Sequence, residues 1–218
     1  MIAENIERLQ AEIPENVTLV AVTKYHDLAD TKAVVAAGIK DLGESRVQDF
    51  LKKYEAMDHV NWHFIGHLQK NKVKQIIGKV YLIHSIDSLE LLEIVNRESE
   101  KAGLVTDVLL QLNLAREETK YGFEKENFNR VLEKAMTYQA VRIKGLMAMG
   151  PHTENNQEIR NIFVELKQIY DKIKEHYHGD KLSMEVLSMG MTDDYKIAIE
   201  EGSNLVRIGR KIFSSEEI

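Results

Sequence analysis

Short apolar runs of β type alternate along this chain with longer stretches whose apolar residues recur at helical spacing. Eight runs can be read, at residues 17–23, 39–43, 62–65, 80–85, 108–113, 141–147, 182–187 and 204–208. Between them lie amphipathic stretches such as 88–102, 125–138, 155–176 and 192–201. In the third, Ile159, Ile162, Phe163, Leu166, Ile169, Tyr170 and Ile173 follow one helix face. Some helix starts carry capping chemistry. Asp87, with Glu90 three residues on, resembles a capping box. The Thr192 hydroxyl ahead of Asp193 and Asp194 suits the positive end of a helix. Residues 1–10, with Glu4, Glu7 and Arg8, read as an extra polar helix before the first strand.

Strands that alternate with helices pair in parallel, because parallel neighbours need a crossover connection. Eight units of about 27 residues fit a closed (β/α)8 barrel of the TIM type near its lower size limit of roughly 200 residues. The class is therefore α/β, with a single domain expected over 1–218. An open doubly wound sheet is the competing architecture. It would show a Gly-rich turn after its first strand, where this chain has Thr23-Lys24-Tyr25-His26-Asp27.

Composition narrows the function classes. The 218 residues carry a net charge of −6, which argues against a general nucleic-acid binder. There is no cysteine, so disulfides, thiolate catalysis and zinc–cysteine sites are excluded. Only Pro14 and Pro151 occur, and no linker composition marks a domain boundary. No apolar run approaches the roughly 18 residues that span a bilayer, and no cleavable signal pattern is read. A cytoplasmic setting is expected.

Barrel chemistry gathers at the C-terminal ends of the strands. The first run ends in Val22-Thr23-Lys24. A lysine there puts an amine at the barrel mouth, where desolvation or a neighbouring cation can free it to attack an aldehyde. A snorkelling or ion-paired lysine is the plainer alternative. The loops after strands 7 and 8 form the usual phosphate site of such barrels. Here they read Leu187-Ser188-Met189-Gly190-Met191-Thr192 and Val206-Arg207-Ile208-Gly209-Arg210. Ser188 and Thr192 offer hydroxyls, and the Gly209-Arg210 turn offers backbone N–H groups; ordinary turn chemistry explains the same residues. Asp193 and Asp194 would repel an anion at the following helix. Arg207 interrupts an apolar strand, and an inward arginine needs an acceptor. That acceptor is either a cofactor ring nitrogen or a carboxylate such as Glu185.

Other segments offer less. His63 and His67 are four apart but do not share a helix face, and no HExxH pattern points to zinc. Lys70, Lys72 and Lys74 read as a solvated face. His176-Tyr177-His178 reads as a helix-end cap. Met147, Met149, Met184, Met189 and Met191 read as core filling, with room for a cofactor ring against some of them.

Taken in order, six stretches resemble the YggS/PROSC family of pyridoxal 5′-phosphate (PLP) homeostasis proteins. They are Ala21-Val22-Thr23-Lys24, Leu42-Gly43-Glu44-Ser45-Arg46-Val47-Gln48-Asp49, Trp62-His63-Phe64-Ile65-Gly66-His67-Leu68-Gln69-Lys70-Asn71-Lys72, Gly145-Leu146-Met147-Ala148-Met149, Leu187-Ser188-Met189-Gly190-Met191-Thr192-Asp193-Asp194-Tyr195, and Val206-Arg207-Ile208-Gly209. The resemblance covers nearly the whole chain. It implies an alanine-racemase-like barrel without a C-terminal β-domain, and PLP as cofactor held as a Schiff base on Lys24. It places Ser188, Thr192, Gly209 and Arg210 around the phosphate and Arg207 at the pyridine nitrogen. Ser45, Met149 and Met189 complete the expected cofactor-binding set. Ser45 replaces the family's usual Asn after Gly-Glu, and Arg210 replaces the usual small hydroxyl residue after Ile-Gly.

The resemblance implies an intracellular PLP carrier or buffer without robust enzymatic turnover. Free amines and apo-enzymes of the PLP class would compete for the aldehyde, and a monomer is expected. An arginine at the ring nitrogen stays protonated, which weakens the ring as an electron sink. A PLP-dependent amino-acid racemase is the alternative, although the β-domain that carries the racemase tyrosine is not expected in 218 residues. A class I aldolase-like barrel using Lys24 on a sugar phosphate is a third reading, and it would lack the colour of bound PLP.

Overall fold

The computed structural model describes residues 1–115, 121–177 and 179–215. Its eight strands are β1 (Thr18–Val22), β2 (Asp41–Glu44), β3 (Asn61–Phe64), β4 (Leu82–Ile86), β5 (Thr106–Gln111), β6 (Val141–Met147), β7 (Leu182–Ser188) and β8 (Leu205–Ile208). They close in sequence order, every pair parallel, with β8 returning to β1. The expected (β/α)8 barrel is thus the observed one, and each strand overlaps the run that foretold it.

Helix α1 (Ile2–Glu12) precedes the barrel. Asn5 ties it to the chain after β8 by donating to the carbonyls of Ile212 and Ser214 at 3.1 and 3.0 Å. The ring of helices comprises α2 (Leu28–Ala36), α3 (Val47–Tyr54), α4 (Val73–Ile76), α5 (Leu89–Ala102), α6 (Phe128–Ala135), α7 (Asn156–His176), α8 (Tyr195–Glu200) and α9 (Arg210–Phe213). Two starts differ from the sequence reading. Ser88, not Asp87, caps α5 by accepting from the Leu91 N–H at 3.3 Å, while Asp87 is drawn to the His67 ring at 2.9 Å. Helix α8 begins after Asp194, whose carboxylate accepts from the Met191 N–H at 2.6 Å and so braces the preceding turn. In α7, Ile159, Phe163, Leu166, Tyr170 and Ile173 are buried, as the periodicity required. His176 bonds the Lys172 carbonyl at 2.7 Å, which fits a helix-end role; His178 lies outside the described residues.

Two apolar layers result. The larger packs between barrel and helices, with Trp62, Phe50 and Phe64 among its bulkiest members. The smaller lies apart from it and joins Leu82, Leu109 and Met147 with Met149 and Val186, residues of β4 to β7 and their ends. These alternate along their strands with residues of the outer layer, which is how a strand serves two faces. The barrel interior also holds buried apolar side chains such as Val20, which pairs with Arg207 in the sheet, beside the polar His63, His84, Ser188 and Arg207.

Candidate functional site

Thr23 leaves β1 locked to its neighbours. Its hydroxyl donates to Glu44 Oε1 at 2.7 Å, and its carbonyl accepts from Lys53 Nζ at 2.8 Å. Lys53 pairs with the same Glu44 oxygen at 2.5 Å, and both side chains are buried. This group anchors the backbone one residue ahead of Lys24. The turn that follows is unusual, because Tyr25 sits at φ 71, a region that bulky residues rarely adopt. Lys24 is exposed at the rim, its amine 5.7 Å from the Tyr25 ring centroid, with the Arg46 guanidinium 5.5 Å from the same ring. No described residue forms a hydrogen bond or ion pair with the Lys24 amine. The ion-paired alternative is therefore not the one observed, and the amine is solvated rather than desolvated.

Arg207 is inward and 4% exposed. Its Nη1 donates to Ser188 Oγ at 2.5 Å and its Nη2 to the Ala148 carbonyl at 3.2 Å. Glu185 pairs with Lys144 instead, at 2.5 Å, so it is not the acceptor for Arg207. Burial pulls the Arg207 guanidinium down to about 10, with Asp194 opposing, and it stays charged at neutral pH. Ser188 is fully buried, and His84 Nδ1 lies 2.9 Å from its oxygen. His84 Nε2 is 2.8 Å from His63 Nδ1, and His63 Nε2 is 3.0 Å from Asp41 Oδ1. Burial first, with the neighbouring His63 and Arg207 acting in the same direction, holds His84 well below the ordinary histidine range. Burial would raise Asp41, but hydrogen bonds from His63 and Asn61, with Lys40 nearby, leave it below the usual carboxylate range.

The loops after β7 and β8 approach closely. Gly190 takes φ 96, and a methyl group there would sit 2.6 Å from Ala198 Cβ. Its carbonyl accepts from the Arg207 N–H at 3.0 Å. A methyl on Gly209 would lie 3.1 Å from the Val22 carbonyl, so the end of β8 packs on the strand that delivers Lys24. Burial raises the Asp194 carboxyl, countered in part by the Met191 N–H and Arg207. Met149, Met191, Pro151, Asp193 and Asp194 border a cleft of about 870 Å³ beside these loops.

The predicted set is therefore only partly gathered. Lys24, Met149, Thr192, Arg207 and Gly209 stand at the C-terminal ends of β1, β6, β7 and β8. Ser45 follows β2 and is half-buried, with Gly66 packed on its backbone. Three side chains depart from expectation. Met189 is fully buried in the layer between barrel and helices, so its side chain does not face the mouth. The Ser188 hydroxyl is held between His84 and Arg207 inside the barrel, which takes it from the expected phosphate contact. Arg210 is exposed and pairs with Asp193, so its charge is already met. That pairing also removes much of the repulsion expected from Asp193. Asp41, His84, Glu44 and Lys53 were not singled out from sequence. A polar residue inside an otherwise apolar β run was the available signal for His84.

This mouth, with its basic residues on the ends of β1 and β8, defines a parallel barrel of the alanine racemase N-terminal type, and the family model described as "Alanine racemase, N-terminal domain" matches residues 1–216. Alanine racemase from Streptomyces coelicolor shares that fold at 18% identity and TM-score 0.80, this chain covering 58% of its length. The chain belongs to the family of pyridoxal phosphate homeostasis proteins. The protein of that name from Aquifex aeolicus is 42% identical over 182 residues, 83% of this chain and 78% of its own. PipY of Synechococcus elongatus PCC7942 was solved without PLP (TM-score 0.92, 30% identity) and with PLP bound (TM-score 0.90, 29% identity), and this chain covers 100% of each. A pyridoxal phosphate homeostasis protein from Synechocystis is 36% identical over 206 residues, 93% of each chain.

Proposed function

We propose that this chain binds pyridoxal 5′-phosphate at the mouth of the barrel, anchors it covalently on Lys24, and serves PLP homeostasis as a carrier without robust turnover. The observation that carries this reading is the uncommitted Lys24 amine on the rim shared with the buried Arg207 and with Gly209. PipY, with PLP bound, supports it at a fold match over nearly the whole chain.

The residues present fit the group. Gly209 leaves no side chain between the end of β8 and β1, so backbone N–H groups can approach an anion there. The Gly190 turn is bonded to β8 through the Arg207 N–H, and Thr192 follows in the same loop. The Arg207 guanidinium would face the ring nitrogen, and the Met149 and Met191 side chains border the adjoining cleft. Bound there, the cofactor supplies an aldehyde that condenses with amines and a pyridine ring that accepts electron density. Lys24 offers the anchoring amine. Its exposure suits exchange, because a competing free amine can reach the same carbon. Arg207 remains a cation and passes no proton to the ring, so the site favours holding the cofactor over carbanion chemistry. Handing the cofactor to apo-enzymes in the cytoplasm is the role we assign to this reversibility.

Borohydride reduction of the PLP-loaded protein followed by peptide mapping tests the reading. Reduction should label Lys24 alone, and Lys24→Ala should lose the label while keeping its circular dichroism spectrum. A label that persists in Lys24→Ala sinks the assignment.

A further inference from the structure

We propose that Asp41, His63 and His84 are positioning residues for Arg207, acting through Ser188 by a one-way hydrogen-bond chain that crosses the barrel from floor to mouth. The effect on the cofactor rests on the function proposed above; the chain itself does not.

Donor and acceptor order follows from counting hydrogens. A guanidinium only donates. Ser188 Oγ therefore accepts from Arg207 at 2.5 Å and must direct its own hydrogen elsewhere. Its other partner is His84 Nδ1 at 2.9 Å, so that nitrogen accepts. The neutral His84 ring then carries its hydrogen on Nε2, 2.8 Å from His63 Nδ1. His63 in turn donates from Nε2 to Asp41 Oδ1 at 3.0 Å. The last group is a carboxylate, which only accepts. Each link leaves one choice for the next.

The opposite order fails. With its hydrogen on Nδ1, His84 would leave the Ser188 hydrogen without a described acceptor at a site with no exposure. His63 would also have to become a second cation in the same interior as Arg207. Among the described residues, no three His, Cys, Asp or Glu side chains converge as a metal site, so these groups form a line and not a cage.

Geometry gives the chain its direction through the molecule. Asp41 opens β2 and is partly exposed on the floor, where Asn61 also donates to it at 3.0 Å. Ser188 closes β7 at the other end of the barrel. Lys40 stands near Asp41, Tyr81 packs against His63 with ring centroids 5.4 Å apart, and Asp194 is the carboxylate that acts on Arg207. Ser188 and Ala148 hold the two terminal nitrogens of Arg207, which fixes the guanidinium plane. The Ser188 hydrogen points down the chain, so Arg207 is the only donor this cluster turns to the mouth.

The test uses the full chain. Nitrogen-15 imidazole NMR without added PLP should show His63 and His84 as neutral Nε2–H tautomers at neutral pH. Asp41→Ala should change the His84 ring signals although those two side chains do not touch. Asp41→Asn keeps an acceptor oxygen and should restore the wild-type pattern. In absorbance titrations, Asp41→Ala and His84→Phe should bind PLP roughly tenfold more weakly, the scale of a lost charge-assisted link, with borohydride labelling still at Lys24. An Nδ1–H or imidazolium form of either ring in the wild type overturns the chain. Unchanged His84 signals in Asp41→Ala do the same, and wild-type PLP affinity in both Asp41→Ala and His84→Phe overturns their role in positioning Arg207. If wild-type Lys24 takes no label, the proposed function fails, and the NMR result judges the chain alone.

Discussion

At the scale of single residues, charge placement dominates. Glu44 is wholly buried, and only one of its oxygens has partners, Lys53 and Thr23, while Oε2 has none in the structure. Removing one member of a buried pair leaves the other charge bare, typically at 3–5 kcal/mol. Lys53→Met should therefore lower stability by about 3–5 kcal/mol in urea unfolding. Adding Glu44→Gln, which removes the bare charge and keeps an acceptor for Thr23, should recover part of that loss. His84 governs the response to mild acid. The unfolded chain protonates it near its ordinary value of about 6.5, whereas the folded chain holds it neutral to much lower pH. Between those values the unfolded state binds more protons, so stability falls as pH drops. Asp41, lowered in the fold, adds its own loss as pH falls below the usual carboxylate range. Asp194, raised by burial, acts in the opposite sense within the carboxylate range, because there the folded state binds the extra proton. The urea midpoint should thus fall from pH 7 to pH 5, and His84→Phe should flatten that slope. An equal slope in the variant would assign the loss to another group.

At the scale of elements, the period of the apolar residues carried most of the information. A seven-residue run at 141–147 reads as strand from its side chains alone, and β6 occupies those residues. The break inside it does not read so easily. Gly145 sits at φ 153, where β6 and β7 shift register, and a methyl group there would lie 1.8 Å from the Val186 carbonyl. Backbone cannot swing away as a flexible side chain can. Gly145→Ala should cost about 3 kcal/mol or more, combining strain with the clash, measured as a shift of the urea midpoint. Helix starts were harder to place than helix faces. Asp87 and Ser88 both have capping oxygens, and the choice fell to Ser88 because His67, from another loop, engages Asp87. Asp194 likewise serves the Met191 turn and not the helix.

At the scale of the whole molecule, closure brings the end of β8 against β1, so the residues around Arg207 and Lys24 share one rim. No helix among the described residues is long and apolar enough to cross a membrane. A ligand that binds only the folded barrel stabilises it by mass action, about 2.7 kcal/mol at a hundredfold excess over Kd. For a chain of this size that corresponds to a rise in Tm of roughly 5–11 °C. PLP at that excess should produce such a rise in the wild type and a clearly smaller one in Lys24→Ala, read by differential scanning calorimetry. An identical rise in both would show that the lysine adds nothing to binding.

The amino-acid order was enough to determine the alternation of strand and helix, the number of units and the positions of Lys24 and Arg207 at strand ends, because periodicity and strand termini are local properties. It also placed Ser45, Thr192 and Gly209 in the loops after β2, β7 and β8, where the structure has them. It could not settle where side chains with two possible directions would turn. Ser188 and His84 are 104 residues apart and meet only through the closed sheet. Met189 turned outward and Arg210 found Asp193 for the same reason: partners from distant strands and loops competed for them. The inner line from Asp41 to Arg207 draws one side chain from each of β2, β3, β4, β7 and β8, and hydrogen bonds between strands exist only once the barrel has set their stagger.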